Sequence, residues 1–330
     1  MKAIKILAMA ALATTVFASC SNDEDLALSS YPADNVVRVT TNVEDITTRA
    51  FHTTNTLNEF AFCIGYADNH YSYNNIKMKK EGNNWNSYLA NNNNITMLWQ
   101  NSTEPVDIMA YAPFDEEGNT IRMIKFKEYP VSVATQQTVG TYESDFLVYK
   151  KTGFVPKKDL TNGAVDITFT HALSLLNIKI EFGTEFNTQT PLAANPINKI
   201  NIGGSIGRGI ADLSADPITV AVDVTSVPVV IEPECGEFTA AADKDAHATA
   251  NYSAILIPQT ITQGFRVDFE INGKFYVWSA PENEEVTLEA GKKHLLTLTV
   301  GKDLVKAGTI SEYPWEGGTG ATSETEKVTE

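Results

Sequence analysis

Apolar and polar residues alternate along most of the chain, and this alternation predicts β-strands that bury one face. The clearest runs hold apolar side chains at alternate positions: Val37, Val39 and Val43; Val165, Ile167 and Phe169; Leu176, Ile178, Ile180 and Phe182; Val220, Val222 and Val224; Leu296, Leu298 and Val300. Two further runs flank Asn272 and Gly273, a dipeptide that accepts the positive φ angles of a type I′ hairpin turn. Because no window has the helical period of about 3.6 residues, the predicted class is all-β, with sandwich domains.

The alternation fails at a few places, and these places divide the chain. Its 330 residues suit two domains of ordinary size. A polar, lysine-rich stretch at 150–158 is the predicted interdomain linker. The predicted organisation is a signal peptide at 1–19, a tether with a removable first strand at 20–49, β-sandwiches at 50–159 and 160–315, and a polar tail at 316–330.

The first twenty residues have the features of a bacterial lipoprotein signal peptide. Lys2 and Lys5 precede an apolar stretch at 6–17 that is too short for a transmembrane anchor, and small residues then lead to Cys20. In such precursors the cysteine carries fatty acyl chains such as palmitate, which bury CH₂ groups in the bilayer. Cys20 is therefore the predicted lipidation site and the outer membrane the predicted anchoring surface. The alternative is plain secretion with cleavage nearby.

Charge composition narrows the possible partners. Lys and Arg total 25 against 41 Asp and Glu, which gives a formal net charge of −16. Binding of nucleic acid requires clustered cations that neutralise phosphates, so a chain this acidic is expected to have no nucleic-acid partner.

The remaining cysteines and the histidines on strands do not indicate a catalytic or metal-binding site. Cys63 and Cys235 lie in apolar or mixed sequence, so we expect buried thiols, while a disulfide between them stays open. His171 and His294 fall at strand positions and are interpreted as edge or boundary residues rather than ligands.

Two motif-like patterns also favour a structural reading over a catalytic one. Residues 203–207 match the spacing of a nucleophile elbow, but that motif needs a strand-to-helix turn and the surroundings here are β. Asp243, Asp245 and His247 alternate as metal ligands can, yet they lie in a polar stretch typical of a solvated loop. We therefore expect no enzymatic activity, no bound metal and no cofactor.

Aromatic residues around an Asn-rich stretch at 91–94 support an alternative hypothesis. Exposed aromatic rings can bind sugars by stacking, although aromatic residues beside short strands more often fill a core. On this alternative the chain is a monomeric surface lipoprotein that binds glycans. The residues concerned are Tyr71, Tyr73, Trp85, Tyr88 and Trp99.

Several features in combination make the sequence resemble the fimbrillin family, the type V pilins of gut and oral anaerobes. They are Cys20 at the end of the signal, the strand-like segment at 36–43, Thr48-Arg49-Ala50, Ser144-Asp145-Phe146-Leu147-Val148, Phe169-Thr170-His171-Ala172-Leu173-Ser174, and the closing segment at 310–315. The resemblance implies two transthyretin-like, Greek-key β-sandwich domains in tandem. It also implies a structural subunit of a surface fimbria that serves cell adhesion.

The resemblance further implies a route of maturation. The precursor reaches the cell surface as a lipoprotein, and a trypsin-like surface protease cuts between Arg49 and Ala50. Loss of the first strand, with its groove-filling Val37, Val39 and Val43, would leave a hydrophobic groove between unpaired strand edges. A strand from another fimbrial subunit would fill this groove by donor-strand exchange.

Other basic sites compete with Arg49 for such a protease. Arg38 lies inside the first strand and is expected to be protected, whereas the linker at 150–158 is expected to be accessible.

A stalk subunit also needs a donor strand near its C terminus. Only residues 303–315 offer one, with Ile310, Tyr313 and Trp315 as candidate groove-filling side chains. The sequence leaves open whether the chain is a stalk subunit with a short donor, a tip subunit, or a base subunit that keeps its lipid.

Overall fold

The computed structural model describes residues 30–44, 52–66, 72–114, 126–140, 142–306 and 310–314. In these ranges the regular secondary structure is almost entirely β, as the alternation predicts. The strands are β1 (Val39–Val43), β2 (Glu59–Tyr66), β3 (Tyr73–Glu81), β4 (Asn84–Tyr88), β5 (Asn94–Ile95), β6 (Val106–Ala112), β7 (Tyr129–Ser132), β8 (Leu147–Phe154), β9 (Val165–His171), β10 (Ser174–Phe182), β11 (Ile197–Ile206), β12 (Arg208–Asp212), β13 (Thr219–Val222), β14 (Pro228–Ile231), β15 (Glu234–Thr239), β16 (Thr249–Leu256), β17 (Gln259–Ile261), β18 (Arg266–Ile271), β19 (Lys274–Ser279), β20 (Val286–Leu288), β21 (Lys292–Val300), β22 (Val305–Lys306) and β23 (Ile310–Pro314). One short α-helix in the described ranges, α1 (Pro156–Asp159), follows β8. None of the helices in the described part of the chain has the length and apolar content to cross a membrane.

An eight-stranded sheet organises the N-terminal half, in the order β1-β9-β8-β6-β2-β3-β4-β5. β1 lies at one edge and pairs in parallel with β9, whereas the other strand pairs are antiparallel. An antiparallel bridge between Val36 and Leu98 joins the approach to β1 with the chain after β5, so the two ends of the sheet meet. The sheet thereby curls around a hydrophobic core that includes Phe60, Phe62 and Phe169.

Two larger sheets facing each other organise the C-terminal half, beside a three-stranded sheet in the order β13-β12-β7 and a two-stranded sheet of β17 and β20. One has the order β15-β16-β10-β21-β22, with β23 also paired to β21, and the other has the order β14-β11-β18-β19. Alternate residues of β10 and β18, such as Ile180 and Phe269, meet in the core between them. This core continues without a break to Tyr111 on the N-terminal sheet, so the two halves share buried apolar surface.

The interdomain boundary predicted between residues 159 and 160 falls inside the eight-stranded sheet instead. Lys150 and Lys151 lie in β8 and pair with Met109 and Ile108 of β6, and the chain then returns to the same sheet as β9. Lys151 faces solvent, whereas Lys150 donates from Nζ to the oxygens of Leu213 and Ser214, so a lysine-rich stretch can lie in a strand as well as in a linker. The chain leaves this sheet once between β6 and β8, where β7 pairs with β12 in a separate three-stranded sheet, and leaves it for good between β9 and β10.

The predicted hairpin at Asn272 and Gly273 is confirmed. β18 and β19 pair antiparallel on either side of the dipeptide, whose φ angles are 51° and 81°. A two-residue turn with both φ angles positive matches the right-handed twist of the strands that it joins.

The two cysteines differ in their surroundings. Cys63 in β2 is buried and free, and this burial raises the pKa of its thiol to about 12. Cys235 is also free but exposed, so the expectation of a buried thiol is wrong for this residue. It lies on the edge strand β15, where the register against β16 shifts between Cys235 and Phe238, and its Sγ lies 3.9 Å from Asn195 Nδ2.

The sequence at 203–207 forms an irregular strand rather than a catalytic turn. Ser205 lies within β11 and is fully buried. Gly204 has a φ of +92°, and a Cβ added there would lie 2.2 Å from the backbone oxygen of Gly264. The register of β11 against β14 shifts at this point, between Ile202 and Ser205, so the glycine permits a close crossing of two backbones.

We expect Gly204→Ala to lower the free energy of unfolding by roughly 3 kcal/mol or more, because the new Cβ meets backbone that cannot move aside. Gly264→Ala is the matched control, since Gly264 has a φ of +78° but open space around its added Cβ. Its cost is about 1–2 kcal/mol from the left-handed conformation alone. Urea unfolding measures the free energy of unfolding of both variants. Equal decreases would mean that the close approach of the two backbones at Gly204 is not the cause.

Candidate functional site

The predicted removable strand lies at the junction where the two ends of the N-terminal sheet meet. Val37, Val39 and Val43 point into the core and are 6%, 7% and 1% exposed, while Arg38 and Thr40 face solvent. The alternation read from the sequence therefore identifies the buried face correctly. Full burial of a valine side chain is worth roughly 1.5–3 kcal/mol, so these residues contribute substantially to this core.

The backbone of this segment is hydrogen-bonded at both of its ends. β1 runs in parallel register with β9 from the pair Val39–Val165 to the pair Val43–Phe169. The chain before β1 pairs differently, because the Val37 N–H donates to the Met97 oxygen at 2.9 Å. The segment thus bridges two strand edges that would otherwise be open.

Side chains on the other edge of β1 supply contacts in place of a backbone ladder. Trp85 Nε1 on β4 donates to Thr41 Oγ1 at 3.2 Å. Thr54 Oγ1 donates to Asn42 Oδ1 at 2.7 Å and accepts from the Val43 N–H at 3.0 Å. A groove of about 490 Å³ lies here, between the start of β1 and the β4–β5 end of the sheet. β1 is therefore held by a full ladder along one edge only.

Arg38 forms a solvent-exposed pair with Asp34. Its guanidinium donates to both carboxylate oxygens, at 3.0 Å and 2.5 Å, and this hydrogen bonding lowers the pKa of Asp34 to about 2. The Arg38 carbonyl accepts from the Val165 N–H at 2.8 Å, so the peptide bond after Arg38 lies in the ladder with β9. A protease could reach that bond only after the strand had left the sheet.

Several predicted site residues fall outside the described part of the chain, namely Cys20, Arg49, Ala50 and Trp315. The description stops at Glu44, at the end of β1, and resumes at His52. The Glu44 N–H donates to the Phe169 oxygen, and the His52 N–H donates to Asp145 Oδ2 at 2.8 Å.

The structure brings together side chains of two sequence motifs, Asp145 and His171, which lie 26 residues apart in the chain. Asp145, just before β8, is fully buried, and its Oδ1 lies 2.8 Å from Nδ1 of the buried His171 at the end of β9. An ionised carboxylate only accepts hydrogen bonds, so His171 Nδ1 is the donor. The sequence placed His171 at a strand boundary, which is correct, but gave no sign that its partner is Asp145.

The ring of His52 completes this cluster. It stacks on Tyr142 with 4.6 Å between ring centroids. Burial lowers the pKa of His52, opposed by the charge of Asp145 and reinforced by His171. The ring of His52 is therefore uncharged at neutral pH, and its backbone N–H makes the contact with Asp145.

The candidate C-terminal donor is docked on its own domain. β23 pairs antiparallel with the first half of β21, from the pair Lys292–Pro314 to the pair Leu296–Ile310. Ile310 is half-buried and Tyr313 is 50% exposed. Because strand side chains alternate, two residues three positions apart face opposite sides of the sheet. Ile310 and Tyr313 therefore cannot both fill one groove.

Most of the aromatic side chains proposed to bind glycans instead pack against, or hydrogen-bond to, other residues of the protein. Trp99 is buried and stacks on Phe154, and Trp85 packs edge-on against Phe60 with 4.8 Å between centroids. Among the others, the hydroxyl of Tyr88 donates to Glu81, and Tyr71 lies outside the described residues. Tyr73 is partly buried, and its hydroxyl accepts from the Leu98 N–H at 3.0 Å.

The metal-like pattern at 243–247 is likewise part of the protein scaffold. His247 Nδ1 lies 2.8 Å from the Phe182 oxygen, and Lys244 pairs with the neighbouring Asp245. In the described ranges no group of three His, Cys, Asp or Glu side chains is placed to hold a metal ion.

Comparison with known proteins assigns the family. A model of fimbrillin-like proteins matches residues 36–315. The chain belongs to the fimbrillin-like family. The match starts at the segment that leads into β1 and runs past β23, so it includes both candidate exchange segments. Membership implies a location at the cell surface.

Solved structures agree with this fimbrillin-like fold. The chain is similar to the crystal structure of a proposed cell adhesion protein from Bacteroides uniformis, at 19% identity and a TM-score of 0.55, over 86% of this chain and 99% of that one. It is also similar to a proposed cell adhesion protein from Bacteroides ovatus, at 14% identity and a TM-score of 0.60, over 87% and 100%. No curated protein matches the sequence.

Proposed function

We propose that the chain is a structural subunit of a surface fimbria that serves cell adhesion, with no enzymatic activity. It is exported as a lipoprotein through Cys20, cleaved after Arg49 and polymerised by donor-strand exchange. The observation that carries the proposal is the position of the segment at 35–43. Its valines fill the core, and its backbone bridges two strand edges.

Release of this segment would create an acceptor site for another strand. The outer edge of β9 would lose its partner from Val165 to Phe169, and the chain at 97–99 would lose its contacts at the other side. Unpaired backbone groups beside an apolar groove are a template for an incoming strand. On this proposal the two halves act as tandem transthyretin-like sandwiches, and the partners are other fimbrial subunits and a trypsin-like surface protease.

The donor would come from the C-terminal segment of another subunit. β23 is a five-residue edge strand, the same length as β1. Its face with Ile310 or its face with Tyr313 would enter the groove, since the alternation of strand side chains excludes both at once.

Trypsin titration of the folded, signal-free chain tests the cleavage. We expect a single early cut that yields a fragment starting at Ala50, followed by ladders on SDS gels run without boiling. Arg49→Gln should slow this cut at least tenfold and abolish the ladders. Lys158→Gln, which removes an exposed basic residue of α1, is the matched control and should behave like the unmodified chain. Ladder formation by Arg49→Gln, or a cut chain that stays monomeric, would refute the proposal.

A further inference from the structure

The buried carboxylate of Asp145 touches the chain just after the proposed cleavage site. His52 is the third residue after Arg49, and its backbone N–H donates to Asp145 Oδ2 at 2.8 Å. The other oxygen, Oδ1, is held by His171 Nδ1 at 2.8 Å. Asp145 is fully buried and the His171 side chain is 1% exposed, so the carboxylate cannot turn to water.

This contact belongs to the body of the protein and not to the removable strand. Asp145 precedes β8 and His171 ends β9, and both strands stay in the sheet when residues up to 49 are lost. By contrast, the neighbouring Thr54 contacts Asn42 and Val43, which would leave. After cleavage, the segment that starts at His52 therefore loses its contacts with β1. It keeps the hydrogen bond from the His52 N–H to Asp145 and the stacking of the His52 ring on Tyr142.

The hydrogen bond between His52 and Asp145 limits how far the start of the cut chain can reach. With His52 fixed, only Ala50 and Phe51 precede it in the cut chain, and two residues span at most about 7 Å. Filling the space of the five-residue β1 takes about 17 Å of extended chain.

Without the hold, the remaining contacts of this segment are the bond from Lys80 Nζ to the Thr54 oxygen at 3.3 Å, a turn closed on the Thr53 oxygen, and the fully buried Leu57. When this turn opens as well, the seven residues ahead of Leu57 span up to about 23–25 Å. They start beside the groove, because Thr54 contacts the last residue of β1 at 3.0 Å. The loosened start of the mature chain could then lie in its own groove.

We propose that Asp145, supported by His171, is a positioning residue that holds the start of the mature chain at His52 and so keeps the strand groove open for a partner. This rests on the proposed cleavage after Arg49. A buried carboxylate suits the task, because hydrogen bonds to a charged acceptor are roughly twice as strong as neutral ones.

Amide exchange in the uncut, signal-free chain tests the hold itself. By NMR, we expect the His52 amide to exchange at least tenfold faster in Asp145→Asn than in the unmodified chain. Asp107→Asn is the matched control, because Asp107 Oδ1 accepts from the Gly153 N–H at 2.9 Å elsewhere in the same sheet. Unchanged exchange at His52 in Asp145→Asn would overturn the proposal without touching the cleavage.

The trypsin-cut chain tests the consequence. An aminopeptidase, followed by intact mass, should stop at His52 in the unmodified protein and in Asp107→Asn, but proceed towards Leu57 in Asp145→Asn. A fluorescent peptide with the sequence of residues 34–44 should bind the cut Asp145→Asn protein about tenfold more slowly. If Asp145→Asn does not fold, His52→Pro removes the N–H donor together with the ring that stacks on Tyr142, keeps Asp145 and His171, and should give the same slow binding.

The outcomes separate the two proposals. Identical trimming and peptide binding in all variants would overturn the role of Asp145 while leaving donor-strand exchange intact. A chain that is never cut at Arg49 would overturn both the proposed cleavage and the proposed role of Asp145 in the cut chain. The amide exchange would then measure only the strength of the hydrogen bond from the His52 N–H to Asp145.

Discussion

Val43→Asp is expected to destabilise the uncut chain by roughly 4 kcal/mol or more and to leave the cut subunit unchanged. Val43 is 1% exposed at the end of β1, so the variant places a carboxylate in the N-terminal core and removes an apolar contact. Once residues up to 49 have been cleaved and removed, the substituted residue is gone. Urea unfolding of both forms, monitored by intrinsic fluorescence, measures the difference.

Asn42→Asp is the control for charge in the same strand. Residue 42 faces solvent, and a carboxylate there still accepts the hydrogen bond from Thr54 Oγ1. We expect a change of less than about 0.5 kcal/mol, as for surface substitutions in general. Equal damage by Val43→Asp before and after cleavage would mean that the strand never leaves the groove, which contradicts strand exchange.

His171→Leu is expected to lower the free energy of unfolding by about 3–5 kcal/mol, in the uncut and the cut chain alike. The variant leaves the fully buried Asp145 carboxylate with the His52 N–H but without its imidazole partner, and removing a partner of a buried carboxylate is strongly destabilising. The double variant with Asp145→Leu should recover part of the loss, because two apolar side chains no longer bury a charge. A double-mutant cycle in urea gives the coupling between the two residues.

His294→Leu provides the matched comparison at another buried strand histidine. His294 is 2% exposed, and its Nε2 accepts from the Glu289 N–H at 3.1 Å instead of pairing with a carboxylate. Loss of a neutral hydrogen bond of this kind costs about 1–2 kcal/mol. If both histidine variants lost the same amount, the Asp145–His171 contact would be an ordinary hydrogen bond.

In the C-terminal strand β23, the spacing of the apolar residues predicts which side of the sheet each one faces. Composition alone groups Ile310 and Tyr313 as candidate donor residues, because they are among the few apolar residues near residue 310. Their spacing of three already places them on opposite faces of any strand, and the structure agrees, with Ile310 half-buried and Tyr313 half exposed. Counting positions within the strand, rather than apolar residues, would have found this.

The lysine-rich stretch after Tyr149 shows where composition misleads. Lys150 and Lys151 belong to a strand because β6 offers a free edge at that position, and only the folded sheet supplies it. A strand with one solvent-facing side and a short linker can have the same residues. The choice between them depends on long-range pairing, which leaves no mark in the local sequence.

The sequence by itself determined the β class, the hairpin at 272–273 and the buried face of β1. These depend on local rules, namely the two-residue period of strand side chains and the φ angles that Asn and Gly accept. Tertiary structure alone decided that β1 pairs with β9, and that Asp145, His171 and the backbone of His52 meet. Register and core packing bring together residues more than ninety positions apart, because many strand pairings satisfy the same alternation and only one fills the core.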